Sequence, residues 1–434
     1  MRILLFAGAG TSIELGVPGM RGMARRFLLH CRRSRTRDKL VQKLVDLNGE
    51  DLEALVESLD SLSRADDIVK GLGGHADYLP EAAVARDEVE WFIRNEASHA
   101  RDQEATLMWG ATISAGRSHN LTLATTNYDC AIEIATKDLD LEIRDGFEQL
   151  SEGKFKKWKS VPTNEDNGVR LLKLHGSIDW YSPKNADELV KLRNLAILHK
   201  NHNLTLSSDE TGEIDLYSAI ILPSREKRLN SFPYLELYQA FSNEADQCDI
   251  AIFIGSSLRD KHILLAAKKT ISRDIPTFIV SYDGKTTVKG AIPIRQHAST
   301  FLISTLPNAL AEKNPSKTIE ILFKKANLPP ISVIGILDVV NILSNPEEND
   351  LFSRRNAIER IVDTGAALGA DLISQLLKDE DSSIARYALA LVYDSPYSAI
   401  LLGEAQVSNH ISDQLYREDL RLLEIMLEER EALG

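Results

Sequence analysis

An asparagine and a histidine, each placed just after a short apolar run, are the side chains of this sequence best suited to catalysis. Asn127 lies in Thr-Thr-Asn-Tyr-Asp at 125–129, and His175 lies in Lys-Leu-His-Gly-Ser at 173–177. An imidazole has an ordinary pKa of about 6.5, so His175 can accept a proton near neutral pH. A carboxamide can orient water or a hydroxyl group through hydrogen bonds. Asp129 is expected to order the loop around Asn127 rather than to act as a nucleophile.

Two glycine turns also follow apolar runs. Gly-Ala-Gly-Thr-Ser occupies 8–12, and Gly-Ser-Ser-Leu occupies 255–258. Glycine lets backbone N–H groups approach a pyrophosphate, and the neighbouring hydroxyls can donate hydrogen bonds. Ile13 stands where the usual dinucleotide fingerprint has its third glycine, so that fingerprint is not met. One such turn alone also fits a simple tight turn, but four polar turns at strand ends favour a binding site.

The elements that must position these turns are short runs rich in β-branched residues, separated by helical stretches. The runs lie at 2–7, 121–126, 170–174, 219–222, 250–255, 276–281 and 300–304. Strands that are apolar on both faces, joined by helical crossovers, indicate a Rossmann-like, doubly wound parallel sheet of the α/β class. The turns would then meet at the carboxyl edge of that sheet.

Two helical regions flank this pattern. The block at about 22–110 has helical apolar spacing and is too long for a simple connection, so we expect a large helical insertion that forms a layer or cap over the sheet. Residues 309–434 are expected to form a C-terminal all-α domain, with helices at 331–343, 353–377, 383–392 and 410–429, after a catalytic domain at 1–308. Polar, loop-like segments are expected at 146–163 and 185–213.

Composition excludes several classes of protein. The chain of 434 residues carries 51 Lys and Arg against 64 Asp and Glu, a formal charge of −13, which repels nucleic acid and anionic membranes. No segment approaches the roughly 20 apolar residues of a membrane-spanning helix. Cys31, Cys130 and Cys248 are scattered, which argues against a disulfide framework and a structural zinc site. We therefore expect a cytoplasmic protein without a metal.

With these motifs in this order, the sequence resembles the sirtuin superfamily over about residues 1–305. The family order is a Gly-Ala-Gly-x-Ser loop with a later Pro and Arg, then Thr-Gln-Asn-x-Asp, then His-Gly, then Gly-Thr-Ser-Leu. By this resemblance Asn127 and His175 are the catalytic pair, and NAD⁺ is the bound nucleotide. The expected NAD-binding residues are Gly8, Ala9, Gly10, Thr11, Ser12, Arg21, Asp129, Gly255, Ser256, Ser257 and Ser281.

The departures from the family pattern point away from protein deacylation. Deacylating sirtuins usually carry four cysteines in a zinc ribbon, Thr126 replaces the family's Gln, and Pro-Ser-Arg-Glu-Lys-Arg at 223–228 replaces a Phe-Gly-Glu. The chain is more similar to zinc-less bacterial antiphage-defence proteins that destroy NAD⁺. Nicotinamide is already a cationic leaving group, so an NAD⁺ glycohydrolase chiefly needs a positioned water and a complementary site.

Two other hypotheses stay open at this stage: an NAD-dependent protein deacylase, and a non-catalytic NAD or ADP-ribose sensor within an assembly. For the hydrolase, constant activity would be lethal, so we expect control through a homo-oligomer and a separately encoded partner. Among zinc-less relatives of this length, a HerA-type hexameric DNA-translocating ATPase is such a partner.

Overall fold

The computed structural model divides the chain into two compact units. The first comprises Met1–Val17 and Ile93–Ile331, and the second comprises Pro18–Phe92 and Ser332–Gly434. The residues that the structure describes are 1–31, 40–44, 47, 51–71, 79–98, 100, 102–149, 155–163, 168–183, 188–192, 204–208, 212–222, 232–282, 284, 286, 288–312, 314–326, 342–345, 354, 357–358, 370–394, 397–414, 416–417, 419–421, 423–424 and 427.

The first unit contains a six-stranded parallel sheet. Its strands are β1 (Arg2–Ala7), β2 (Asn120–Thr125), β5 (Gly168–Lys173), β10 (Ile250–Ile254), β11 (Thr277–Ser281) and β12 (Ile292–Arg295). They lie in the order β12-β11-β10-β1-β2-β5, and every pairing is parallel. This is the doubly wound order, whose topological switch falls between β1 and β10. The predicted fold class is confirmed.

Burial explains why these segments form central strands. All five residues of β10 are buried, as are residues 3–7 of β1, so both faces of each strand are covered. Phe6 of β1 packs against Phe253 of β10, with ring centroids 5.8 Å apart. Helices supply the crossovers and the cover: Asp102–Gly116, Ala131–Asp138, Tyr234–Gln247 and Lys261–Ser272.

A second, antiparallel sheet in the same unit was not predicted. Its strands are β3 (Phe147–Gln149), β4 (Phe155–Trp158), β6 (Gly176–Pro183), β7 (Val190–Leu192), β8 (Leu204–Ser208) and β9 (Gly212–Ile220), in the order β3-β4-β7-β6-β9-β8. The prediction that residues 219–222 form a strand of the parallel sheet is wrong, because the strand there, β9, ends at Ile220 and pairs with β6 and β8.

The loop predicted at 146–163 also contains structure, namely β3 and β4. An aromatic cluster holds these short strands: the ring of Trp158 lies 5.2 Å from that of Phe147 and 5.8 Å from that of Trp180 in β6. Contacts between residues far apart in sequence, rather than local periodicity, therefore determine these strands. Most of the second predicted loop, at 185–213, lies outside the described residues, which include β7 and β8 there.

The prediction of a strand at 300–304 is wrong, because this segment is helical. The short helix Ala298–Thr300 continues into a π-helical turn, Phe301–Thr305, and then into the helix Leu306–Leu310. Both carboxylate oxygens of Glu14 accept backbone N–H groups at its start, from Ala298 at 2.8 Å and Ser299 at 2.7 Å. The true edge strand, β12, was missed because Pro293 interrupts its pattern, and proline is tolerated at a sheet edge.

The remaining helices described in the first unit are Ala9–Ile13 and Pro315–Ala326. Those of the second unit are Met20–Cys31, Leu52–Gly71, Ala370–Leu377, Ser382–Asp394 and Ser398–Gln406, followed by the 3-10 turn Asn409–Ser412. The helix Leu79–Ala97 crosses the boundary between the units. The helix expected at 331–343 and most of the one expected at 353–377 lie outside the described residues. No described helix is long and apolar enough to cross a membrane.

An ion-pair network in the second unit joins the helical insertion to the C-terminal segment. The Asp419 carboxylate accepts from Arg26 Nη2 and from Arg386 Nε, both at 2.9 Å. Burial raises the pKa of Asp419, but the two guanidinium groups outweigh this effect and lower it overall. The boundary at residue 308 between a catalytic and a helical domain stays a prediction.

Candidate functional site

The carboxyl ends of four neighbouring parallel strands form one row. Ala7 pairs with Thr125 and with Ile254, and Thr125 pairs with Lys173. The four predicted polar turns therefore begin at one edge of the sheet, where an open α/β sheet collects its ligands. Asn127 follows Thr125 by two positions, and His175 follows Lys173 by two positions.

The glycine turns after β1 and β10 pack directly against each other. Gly8 N–H donates to Ile254 O at 2.9 Å, and Gly10 N–H donates to Gly255 O at 2.7 Å. A Cβ at Gly10 would lie 2.8 Å from the Cα of Gly255, and one at Gly8 would lie 2.7 Å from the Cβ of Ser256. Gly255 has a φ of +61°, a conformation that favours glycine. Glycine is therefore required here for close approach of two backbone segments at the switch point.

Asn127 is bound to the first glycine turn. Its Nδ2 donates to Gly8 O and to Thr11 Oγ1, both at 2.9 Å. Its own backbone N–H donates to Thr125 Oγ1 at 3.0 Å, and that hydroxyl donates to Ala7 O at 2.8 Å. Among the described residues, no hydrogen bond reaches Asn127 Oδ1. This half-buried amide is thus fixed by its nitrogen and retains an acceptor.

The Asp129 side chain ties the same two segments together. It accepts hydrogen bonds from Ser12 Oγ and from Ala131 N, the latter at 3.0 Å. Its backbone carbonyl accepts from Nζ of Lys173, a fully buried lysine at the end of β5. Lys173 Nζ also lies 3.7 Å from Glu133 Oε1. Burial lowers the pKa of Lys173. The charges of Glu133, Asp129 and Asp179, together with Cys130, outweigh burial and raise the pKa overall, so the ammonium form is favoured.

His175 is buried beside β6 and the helix Tyr234–Gln247. Its Nε2 lies 2.9 Å from the hydroxyl of Tyr238 and 3.5 Å from Oδ2 of Asp260. Its carbonyl accepts from Ile221 N at 2.9 Å. Gly176 has a φ of +79°, and a Cβ there would lie 2.3 Å from Ala219 O, so the turn after His175 depends on this glycine.

The other predicted binding residues are placed as follows. Ser256 Oγ accepts from Leu258 N at 3.2 Å, and Ser257 is exposed in the same turn. Ser281 ends β11, and its carbonyl accepts from Gln296 N at 3.1 Å. Arg21 belongs to the helix Met20–Cys31 of the second unit, and its side chain lies outside the described part of the chain.

Several donors of the 8–12 turn are used within the protein. Thr11 N–H and Thr11 Oγ1 both donate to Gly8 O, at 3.0 and 2.9 Å. Ser12 Oγ donates to Asp129, and Gly10 N–H donates to Gly255 O. Phosphate or ribose binding by these groups stays a prediction, and it requires some of these bonds to be exchanged for bonds to the ligand.

One comparison with known proteins bears directly on this edge of the sheet. Residues 121–288 match the family model described as the SIR2-like domain. The match includes Asn127, His175 and Gly255, and it begins after the 8–12 turn.

Three solved structures are similar to this chain. A Sir2 homologue in complex with NAD has 14% identity and a TM-score of 0.41, over 71% of this chain and 89% of that chain. A mutant Sir2 homologue in complex with ADP ribose has 13% identity and a TM-score of 0.40, over 71% and 92%. Sir2 bound to an acetylated peptide has 11% identity and a TM-score of 0.39, again over 71% and 92%. No curated protein sequence matches significantly.

The first unit contains a buried cluster whose ligand atoms are close enough to hold a metal. The ligand atoms of Cys130, Glu133 and Asp179 all lie within 4.8 Å of one another. Burial raises the pKa of Cys130 well above its ordinary value, and Asp179 raises it further, so the thiol form is favoured over the thiolate that binds metals. Lys191 Nζ lies 3.4 Å from Glu133 Oε1 and 3.6 Å from Asp179 Oδ2. We interpret the group as a buried ion network, with lysine as its cation.

Sequence reasoning missed three residues of this site: Lys173, Tyr238 and Asp260. A lysine that directly follows the apolar pair Leu171 and Leu172 is a detectable signal, because lysine is almost never fully buried unless it is paired. Asp260 had the signature of a helix N-cap, and its Oδ1 accepts from His262 N at 2.9 Å. Tyr238 lies 63 positions from His175, and nothing local in the sequence connects them.

Proposed function

We propose that this chain is an NAD⁺ glycohydrolase, which cleaves NAD⁺ to nicotinamide and ADP-ribose. The observation that carries the proposal is the placement of Asn127 and His175 at corresponding positions after adjacent strands, with Asn127 hydrogen-bonded to the glycine turn after β1. A fixed amide, an imidazole and a glycine turn at one edge of the sheet suit a nucleotide whose glycosidic bond is hydrolysed.

The reaction needs one water molecule and one proton acceptor. The bond between ribose C1′ and the nicotinamide nitrogen breaks, and its electron pair stays with the nitrogen, so nicotinamide leaves as a neutral molecule. Water adds to C1′ of the oxocarbenium-like ribose and loses a proton, which His175 accepts and later releases to solvent. The products are nicotinamide, ADP-ribose and one proton.

In this mechanism Asn127 orients the attacking water or a ribose hydroxyl. Its Nδ2 is held by Gly8 O and Thr11 Oγ1, so Oδ1 is the atom that accepts from the water or hydroxyl. The residues at 8–12 and 255–257 bind the phosphates and the adenosine side of NAD⁺, aided by Ser281. The packing of Gly8 and Gly10 against Gly255 supports this assignment, because it brings the two turns together at the carboxyl edge of the sheet.

The biological role that we propose is antiphage defence by NAD⁺ depletion, ending in abortive infection. An enzyme that destroys NAD⁺ must be restrained until infection. We propose that a homo-oligomer provides this restraint together with a separately encoded partner, a HerA-type hexameric ATPase. Size-exclusion chromatography of the chain with and without the co-expressed partner tests this part, and separate elution of the two proteins contradicts it.

The primary test is incubation of the purified chain with NAD⁺ and separation of nicotinamide and ADP-ribose by chromatography. We expect Asn127→Ala and His175→Ala to lose turnover, whereas Asn308→Ala, at an exposed helical position, retains it. The assay is repeated with the co-expressed partner. Absence of turnover in both forms contradicts the hydrolase, and NAD-dependent transfer of the acetyl group from an acetylated peptide to ADP-ribose would support a deacylase.

A further inference from the structure

Two polar groups and an aromatic ring, from three different segments, surround the imidazole of His175. Nε2 of His175 lies 2.9 Å from the Tyr238 hydroxyl, which comes from the helix Tyr234–Gln247. The same atom lies 3.5 Å from Oδ2 of Asp260, the N-cap of the helix Lys261–Ser272. The ring of Tyr128, from the loop after β2, lies 6.3 Å from the imidazole. The ring is therefore held on one side by a hydroxyl and a carboxylate.

The position of Asp260 favours its ionised form. Its Oδ1 accepts the backbone N–H of His262 at 2.9 Å, and the positive end of the helix dipole lies beside it. Its side chain retains 15% exposure, whereas that of His175 retains 6%. A carboxylate held in this way, at 3.5 Å from a shielded imidazole, stabilises the protonated imidazole more strongly than it would in water.

The Tyr238 hydroxyl contributes no charge. Burial raises the pKa of Tyr238, and the Asp260 carboxylate and Tyr128 raise it further, so its hydroxyl stays protonated and neutral at physiological pH. His262 packs edge-on against the Tyr238 ring, with ring centroids 5.2 Å apart. Tyr238 thus acts as a neutral hydrogen-bond partner that fixes the imidazole.

We propose that Asp260 is a positioning residue that stabilises the protonated form of His175 and thereby sets the pH at which His175 accepts a proton. The role of His175 as the base rests on the proposed hydrolase, but the ion pair itself does not. The carboxylate acts on His175 across the sheet edge, from the turn after β10 to the end of β5.

The test is the pKa of His175, measured in the full-length chain by NMR titration of isotope-labelled histidine. The His175 signal is assigned by its absence from the spectrum of His175→Gln. We expect Asp260→Asn to lower this pKa by about 1–3 units, because an opposite charge at this distance has been removed. Asparagine caps a helix as well as aspartate does, so the helix is retained.

Asp274→Asn is the matched control. Asp274 is exposed, follows the same helix and has a φ of +58°, which asparagine tolerates. It should leave the pKa of His175 unchanged. Asp260→Ser, a second substitution that keeps an N-cap, must reproduce the shift. A His175 pKa that is the same in wild type, Asp260→Asn and Asp260→Ser overturns the proposal.

The outcome separates this proposal from the hydrolase. A lowered His175 pKa in a chain without turnover supports the ion pair and contradicts the hydrolase. An unchanged pKa in a chain that hydrolyses NAD⁺ contradicts the ion pair and leaves the hydrolase intact. If both the ion pair and the hydrolase are correct, Asp260→Asn shifts the acidic limb of the pH–rate profile for NAD⁺ hydrolysis to lower pH. The shift then equals the change in the pKa of His175.

Discussion

Asn127 and His175 follow the paired residues Thr125 and Lys173 by the same number of positions, on adjacent parallel strands. A hydrogen bond from Leu174 N to Thr125 O, 2.8 Å long, extends the ladder beyond that pair. The spacing of the two side chains is consequently set by the sheet register and not by long loops. Sites built on regular elements hold their groups more accurately than sites built on loops.

Asn127→Asp keeps the size of the side chain and removes its donor. A carboxylate oxygen would then face Gly8 O, where Nδ2 now donates at 2.9 Å. Repulsion between that oxygen and Gly8 O would displace Oδ1 from the position in which it orients the reacting groups, so we expect kcat/KM for NAD⁺ hydrolysis to fall by roughly 10²–10³-fold. Asn308→Asp, at an exposed position, is the control and should stay within twofold of wild type, roughly the scale of a surface change. Equal activity of the two variants contradicts the role of Asn127.

Gly10→Ala should destabilise the chain through a backbone clash. The added Cβ would lie 2.8 Å from Gly255 Cα and 2.9 Å from Gly255 O, and neither atom can move like a flexible side chain. We expect a loss of about 1–3 kcal/mol in the free energy of unfolding, measured by urea titration with circular dichroism. Ala9→Ser, at the exposed neighbouring position, should change it by less than about 0.5 kcal/mol. If the free energy of unfolding of Gly10→Ala equals that of wild type, the two turns can separate freely.

Lys173→Met should uncouple the loop of Asn127 from β5. The substitution removes the donor to Asp129 O and one of the cations beside Glu133. Breaking a buried pair typically costs about 3–5 kcal/mol, and here Lys191, at 3.4 Å from Glu133, offsets part of that cost. The double variant with Glu133→Gln should recover stability relative to Lys173→Met.

The control for this prediction is Lys137→Met, at an exposed position of the helix Ala131–Asp138. Its urea midpoint should stay close to that of wild type. Additive effects of Lys173→Met and Glu133→Gln in the double-mutant cycle would rule out the pairing.

Asp145 should make stability depend on pH in the acid range. Burial raises the pKa of its carboxyl, but Lys191, with Nζ 2.8 Å from Oδ2, outweighs burial and lowers the pKa overall. Because the folded-state pKa lies below the unfolded value of about 3.9, the stabilisation is fully present above the unfolded value. It is lost as the pH falls through the folded-state pKa.

Asp145→Asn tests this sign. The difference in urea midpoint between wild type and variant should be largest near neutral pH and should shrink below about pH 4. Asp179, whose pKa burial raises, contributes in the opposite direction in both proteins, so the comparison removes most of its effect. Asp140→Asn, exposed and with a φ of +49°, is the control. If the difference in urea midpoint grows toward acid pH, the folded-state pKa of Asp145 lies above the unfolded value, and the prediction is wrong.

The parallel sheet could be predicted from sequence because its strands are buried on both faces. Residues 250–254 form a continuous apolar run that burial on two sides requires, and Asn127 and His175 follow runs of the same kind. The second sheet could not be predicted. Its strand Phe155–Trp158 is half lysine, and the contact of Trp158 with Trp180 that holds it links positions with no local relation.

The same limit applies inside the site. The histidine and asparagine carry a signal at their own positions, because polar residues at strand ends stand out. The residues that hold these two side chains in place carry no such signal. Tyr238 becomes relevant only when the helix Tyr234–Gln247 packs beside β5, and Lys173 becomes relevant only when its ammonium reaches Asp129 O across the β2–β5 edge.

The ion pairs of Asp419 with Arg26 and Arg386 have a consequence for synthesis of the chain on the ribosome. Arg26 emerges early, whereas its partner Asp419 is translated 393 residues later. These ion pairs therefore cannot form until translation has passed residue 419, although domains ordinarily fold as they emerge. For a protein whose proposed activity would harm its own cell, synthesis past residue 419 is then a checkpoint in assembling the second unit.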